Sequence, residues 1–228
     1  MEATTQPRVK ICCIADRHEA ALAIKHGASA VGLVAEMPSG PGVIADSQIR
    51  EICRHTPPPV SSFLLTSRTE SGQIADHIRI TGANTIQIVD KLTNGTYEHI
   101  RLACPGVNIV QVIHVLGEES IEEALSVAPF VDAVLLDSGN PNLEVKELGG
   151  TGRTHNWQIS RTIRERLTIP VFLAGGLNPG NVRDAIKQVG PFGLDVCSGV
   201  RTEGKLDELK LKAFMKAVKN RSVLANLF

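Results

Sequence analysis

The feature that most constrains this chain is an unbroken alternation of short apolar, β-branched runs with stretches of helical periodicity. The strand candidates are Val9 to Ile14, Ala30 to Ala35, Val60 to Thr66, Thr85 to Val89, Ile109 to Val115, Ala133 to Asp137, Val171 to Ala174 and Leu194 to Ser198. The helix candidates run near Arg17 to His26, Ser47 to His55, Glu70 to Thr81, Tyr97 to Ala103, Ser120 to Ala128, Asn156 to Leu167, Pro179 to Val189 and Leu206 to Asn220. The strands read as continuous apolar runs, the pattern of parallel strands covered on both faces. Eight βα units in 228 residues predict one α/β domain over residues 1 to 228, a single-domain (βα)8 TIM barrel, with Arg221 to Phe228 as a short tail. An open doubly wound sheet is the alternative.

Local punctuation agrees. Asp46 or Ser47 can cap the second helix, Gly27 follows the first, and Pro179 sits early in the seventh, where its missing amide donor is harmless. The segment from Ser138 to His155 is long for a βα connection, which points to function.

Composition narrows the partners. Lys plus Arg and Asp plus Glu both number 24, so no net field draws nucleic acid or an anionic membrane, and 4% aromatic residues make no stacking platform for single strands. No apolar run approaches the roughly 18 to 20 residues that span a bilayer, and the polar start, Met1 to Arg8, lacks a secretory apolar segment. A cytoplasmic protein acting on a small molecule is expected, as monomer or homodimer. The five cysteines (Cys12, Cys13, Cys53, Cys104, Cys197) are odd in number and lack metal-ligand spacing, so free thiols and no metal are expected. Adjacent Cys12 and Cys13 are expected on opposite faces of the first strand, with Cys13 toward the helices.

Two reactive side chains, Cys12 and Asp137, stand where strands end, and the carboxyl edge of a parallel sheet is where such folds build their sites. The pair reads as acid-base chemistry. A thiol is only a few per cent thiolate at neutral pH, so Cys12 needs a positive charge or helix dipole nearby; Lys10 is too close in sequence to be counted on. Asp137 needs burial, which Leu135 and Leu136 can supply, to remain a proton donor. Asp90 and His114 are further strand-end candidates. Glycines gather as Gly149, Gly150 and Gly152, as Gly175 and Gly176, and as Gly199 after Ser198. The last two clusters follow strands seven and eight, whose loops commonly bind phosphate in barrels, so a phosphorylated ligand is expected at Gly150, Gly152, Gly175, Gly176, Ser198 and Gly199.

Four segments carry a resemblance to a known family. They are Lys10, Ile11 and Cys12; Gly149 to Gly152 with Trp157; Leu173 to Leu177 with Pro179, Asn181 and Val182; and Asp195 to Val200 with Gly204, Lys205 and Asp207. With Asp137, these resemble phosphoribosylanthranilate isomerase, a (βα)8 barrel of tryptophan biosynthesis. The resemblance implies an Amadori rearrangement of N-(5-phosphoribosyl)anthranilate without a cofactor. The aspartate at position 137 would protonate the furanose oxygen, and the cysteine at position 12 would take the proton from the sugar C2.

The sequence departs from the family in the half that meets the aglycone. Where the family has Ser-Pro-Arg after strand two, this chain reads Ser39, Gly40, Pro41, Gly42, and a Gly-Pro-Gly turn cannot replace a guanidinium's paired bonds to a carboxylate. Arg68 or Arg153 could supply the contact from another loop. The family's Gln-Leu-His-Gly is here Gln87 to Asp90, its strand-eight glutamate is Arg201, and its first-strand glycine is Cys13. Two alternatives keep the barrel: an isomerase or epimerase of another sugar phosphate, and a catalytically silent barrel that binds a phosphorylated metabolite.

Overall fold

In the computed structural model, residue 3 and residues 6–150 and 152–219 are described. Eight parallel strands, β1 (Arg8–Ile11), β2 (Ala30–Val34), β3 (Ser61–Thr66), β4 (Thr85–Ile88), β5 (Asn108–His114), β6 (Ala133–Asp137), β7 (Val171–Leu173) and β8 (Gly193–Val196), pair in chain order, and β8 pairs back on β1 to close a barrel. Between and after them run α1 (Arg17–Lys25), α2 (Asp46–His55), α3 (Ser71–Thr81), α4 (Tyr97–Ala103), α5 (Glu119–Val127), α6 (Trp157–Arg166), α7 (Val182–Val189) and α8 (Glu208–Lys219). This is the expected (βα)8 TIM barrel.

Strand periodicity sorts the side chains into two apolar layers. In β6, Val134 and Leu136 face the helices while Ala133 and Leu135 face the barrel interior, so Asp137 continues the interior series at the carboxyl end. In β1, Val9 and Ile11 join the outer layer, which sends Lys10 inward. Phe63, Phe172 and Phe192 fill part of the interior through edge contacts at centroid distances of 5.8 and 5.6 Å. The closing seam sets Lys10 directly opposite Asp195.

Four expectations are corrected. β1 ends at Ile11 instead of Ile14, because Cys13 adopts φ 61°, and the alternation of faces holds only while the chain stays extended. Cys13 therefore does not face the helices; it joins Cys12 in the interior layer. The second helix has Ala45 at its cap position, and its amide donates to Gln48 Oε1 (3.3 Å); Asp46 is the first helical residue and its carboxylate meets His77 Nε2 at 3.0 Å. Pro179 lies before α7, in a turn where Asn181 Oδ1 accepts from the Asn178 amide at 2.8 Å. A small antiparallel hairpin, β9 (Arg201–Thr202) with β10 (Lys205–Leu206), follows β8 and had no counterpart in the sequence reading. The tail at 221–228 lies outside the described residues. No described helix is long and apolar enough to cross a membrane.

Candidate active site

The carboxyl ends of the strands surround one open cavity. Cys12, Asp137, Gly150, Gly152, Gly175, Gly176 and Ser198 all line it, so the structure gathers the expected acid-base pair and most of the expected phosphate residues around one space.

Beneath Cys12 lies Lys10, fully buried. Its ammonium donates to Asp195 Oδ1 at 2.9 Å and to Cys12 Sγ at 3.5 Å, and sits 5.3 Å from the centre of the Phe63 ring. Burial disfavours the charge, but the Asp195 carboxylate and the Cys12 sulfur outweigh it and hold the lysine above its ordinary range. The cation expected beside Cys12 is thus the lysine two residues earlier, whose neighbourhood follows from period 2. Gly32 makes the arrangement possible: a Cβ there would lie 2.9 Å from both Cys12 Sγ and Lys10 Nζ.

The main chain around Cys12 is held by Arg201, which donates to the carbonyls of Cys12 (3.1 Å) and Cys13 and to Glu19 Oε2 (2.9 Å). Glu19 also accepts from the amides of Leu206 (2.8 Å) and Ala15 (3.0 Å). One buried ion pair therefore ties β1, α1 and the β9–β10 hairpin together.

Asp137 is paired in register with His114 across β5 and β6. Burial pushes its carboxyl above the usual carboxylate range, against the opposing pull of the Ser138 amide, which donates to Oδ1 at 2.7 Å. Gly149 lies so close that a Cβ there would be 2.8 Å from Oδ2. His114 Nε2 meets the Val89 carbonyl at 2.9 Å, while its Nδ1 is buried without a partner. Asp90 is turned to Lys146 and lines a separate hollow.

On the β7–β8 side, Gly176 (φ 61°) packs against the long loop so tightly that a Cβ would lie 2.7 Å from the Arg153 carbonyl carbon. Its own carbonyl accepts from the Asn181 side chain at 2.9 Å. The amides of Gly175, Gly176 and Gly199 donate to no other described residue, as an anion cradle requires. Gly199 borders Ser198 and packs on Leu177.

Arg68 and Arg153 are not brought to this mouth. Arg68 donates to the Gln73 carbonyl at 3.1 Å and stands 4.0 Å from Asp46, and the Arg153 side chain engages Glu147. No arginine, lysine or histidine lines the cavity among the described residues. Gln87 does line it, with a buried Oε1 that has no protein partner. The sequence reading gave no role to Gln87, Lys10, Asp195, Gly32 or the Glu19–Arg201 pair; strand parity could have found the first three. No group of three or more His, Cys, Asp or Glu side chains among the described residues is placed to hold a metal ion.

Fold and site together define a (βα)8-barrel enzyme whose reactive side chains and glycine loops share one mouth. More particularly, the family model of N-(5'phosphoribosyl)anthranilate (PRA) isomerase matches residues 9–217, and the chain belongs to that family. It is 34% identical over 213 residues to the N-(5'-phosphoribosyl)anthranilate isomerase of Methanocella arvoryzae, covering 93% of this chain and 98% of the relative. The crystal structure of the Thermotoga maritima phosphoribosyl anthranilate isomerase superposes with a TM-score of 0.77 at 32% identity, covering 93% of this chain and 98% of that one. A phosphoribosyl anthranilate isomerase in complex with reduced 1-(o-carboxyphenylamino)-1-deoxyribulose 5-phosphate gives 0.74 at 31% identity, with the same coverage.

Proposed function

We propose that this protein isomerises N-(5'-phosphoribosyl)anthranilate to the 1-deoxyribulose phosphate product in tryptophan biosynthesis, with Asp137 as general acid and Cys12 as general base. The observation that carries this reading is a Cys12 sulfur beside a buried ammonium, with a buried Asp137 whose carboxyl burial pushes up, around one cavity. Asp137 gives its proton to the furanose ring oxygen, the ring C–O bond breaks, and the nitrogen lone pair forms an iminium at C1. Cys12 then takes the proton from C2, the electrons of that C–H bond move to C1–C2, and the iminium is neutralised as an enolamine. Tautomerisation of the enol gives the ketone. Lys10 stabilises the charge on the Cys12 sulfur, and Asp195 keeps Lys10 in place. Gly150, Gly152, Gly175, Gly176, Ser198 and Gly199 hold the phosphate through amides and a hydroxyl, fixing the sugar between base and acid.

The decisive experiment is turnover of phosphoribosylanthranilate by the purified protein, with complementation of a tryptophan auxotroph lacking this step. Cys12→Ala and Asp137→Asn should each abolish it; no turnover by the intact protein would sink the reading.

One observation favours a second reading that keeps the chemistry and changes the aglycone. The described cavity lining offers an anthranilate carboxylate no cationic side chain; its neutral polar groups include Gln87 and Ser39, whose hydroxyl donates to the Lys146 carbonyl. Arg153 would reach the mouth only by leaving Glu147. A phosphoribosylamine with an uncharged aglycone would suit this wall, and comparing kcat/KM for the two substrate types separates the readings.

A further inference from the structure

Outside the acid-base pair, the mouth holds a second pair of reactive groups. Cys13 Sγ lies 2.7 Å from Cys197 Sγ, across the seam between the ends of β1 and β8. The left-handed backbone at Cys13, φ 61°, is a conformation that residues other than glycine adopt uncommonly, and it turns this sulfur from the helix layer into the cavity. Gly42 packs on its Cβ, and the Pro41 carbonyl stands 3.6 Å from its Sγ. Both cysteines line the open mouth, so a small solute that enters the cavity meets them.

The two thiols are unequal. Hydrogen bonding with Cys12 and Cys197, together with burial, pushes Cys13 above the usual thiol range. The hydrogen bond with Cys13 holds Cys197 below it, against burial, with the Arg201 guanidinium adding to the effect. We propose that Cys13 and Cys197 form a reversible oxidation site, which hydrogen peroxide converts to a disulfide across the barrel seam.

In the first step the Cys197 thiolate sulfur attacks one peroxide oxygen. The O–O bond breaks, the sulfur becomes a sulfenic acid, and the departing hydroxide leaves as water after taking a proton. In the second step Cys13 Sγ attacks Cys197 Sγ; the S–S bond forms, the S–O bond breaks, and the leaving hydroxide takes the Cys13 proton as a second water. Two thiols are oxidised by two electrons in all, and one peroxide is reduced to two waters. The closing movement is small, since the sulfurs must shorten from 2.7 Å to only about 2.05 Å. Cys53 and Cys104 sit on the helix side, and of the thiols at the mouth Cys13 and Cys197, already 2.7 Å apart, can close a disulfide with little movement.

The test is to treat the full chain with hydrogen peroxide and count thiols, of which the untreated protein has five. Two should be lost, dithiothreitol should restore both, and mass spectrometry should find the Cys13 peptide joined to the Cys197 peptide. A Cys13→Ala variant should instead accumulate a sulfenic acid at Cys197 that dimedone traps. The wild-type count alone decides the proposal if that variant fails to fold. Retention of all five thiols, oxidation of Cys12 ahead of the pair, or a disulfide that includes Cys12 would overturn it.

Discussion

Arg201 and Glu19 meet at 2.9 Å, with side chains 6% and 11% exposed, and the same guanidinium holds the carbonyls of Cys12 and Cys13. A buried pair of this kind costs far more to break on one side than to have built on neither. It makes the loop after β1 a fixed support for the Cys12 sulfur proposed as the base.

Removing one partner should therefore be severe. Glu19→Gln and Arg201→Met are each expected to lower stability by about 3–5 kcal/mol, read as a shift in urea midpoint. Burial works against the Glu19 charge, but Arg201 and the Leu206 and Ala15 amides prevail and hold its carboxyl below the usual range. Its contribution is complete above the unfolded value of about 4.3 and is lost as pH falls through the lower folded value. The wild type should lose stability over that acid window, and Glu19→Gln should lack that segment of the curve.

The Lys10–Asp195 pair separates stability from catalysis. Asp195→Asn leaves a fully buried ammonium without its counter-charge and should cost about 3–5 kcal/mol. The double variant Lys10→Met/Asp195→Leu removes both charges and is expected to regain much of that stability without regaining activity, because no cation then faces Cys12. Equal activity in the double variant and the wild type would exclude Lys10 from the chemistry.

Gly32→Ala should act on the same atoms through space alone. Its new Cβ would force Cys12 Sγ and Lys10 Nζ from their positions, so kcat is expected to fall at least tenfold, about 1.4 kcal/mol in barrier. Overpacking should cost no more than about 1–3 kcal/mol in stability. Steady-state kinetics beside a thermal melt would show the split.

Asp137 should display the opposite trade. Burial raises its carboxyl, so its contribution to stability is complete below the unfolded value of about 3.9 and is lost as pH rises through the higher folded value. Asp137→Asn is expected to unfold at a higher urea concentration than the wild type at pH 8, while kcat falls by about 10²–10⁴. In the wild type, kcat should decline on the alkaline side as Asp137 loses its proton.

His155 gives a second acid-sensitive element. Burial lowers it to about 4, and its Nε2 meets Ser160 Oγ at 2.7 Å. Its contribution is whole above the unfolded value of about 6.5 and disappears as pH falls toward 4. His155→Gln should flatten the stability profile between those values.

The barrel was legible because its strands are continuous apolar runs with helical periodicity between them, and Ala133–Asp137 and Tyr97–Ala103 agree to the residue. Cys12 and Asp137 could be placed because a strand end at the carboxyl edge implies a mouth. Cys13 could not, since nothing local in Cys12–Cys13–Ile14 announces a left-handed turn. Asp46 was misassigned because capping competes with a distant partner, His77, that no local pattern shows. The Glu19–Arg201 pair was invisible for the same reason, as its members are 182 residues apart.

The seam between β1 and β8 has a temporal consequence. Lys10 waits for Asp195, Cys13 for Cys197 and Glu19 for Arg201, separations of 185, 184 and 182 residues. Loops this long close late and at an entropic cost that local structure cannot defray. A nascent chain released before its eighth strand would carry the thiol, the lysine and the aspartate at position 137 and still have no assembled centre, so catalysis here begins only when the ring shuts.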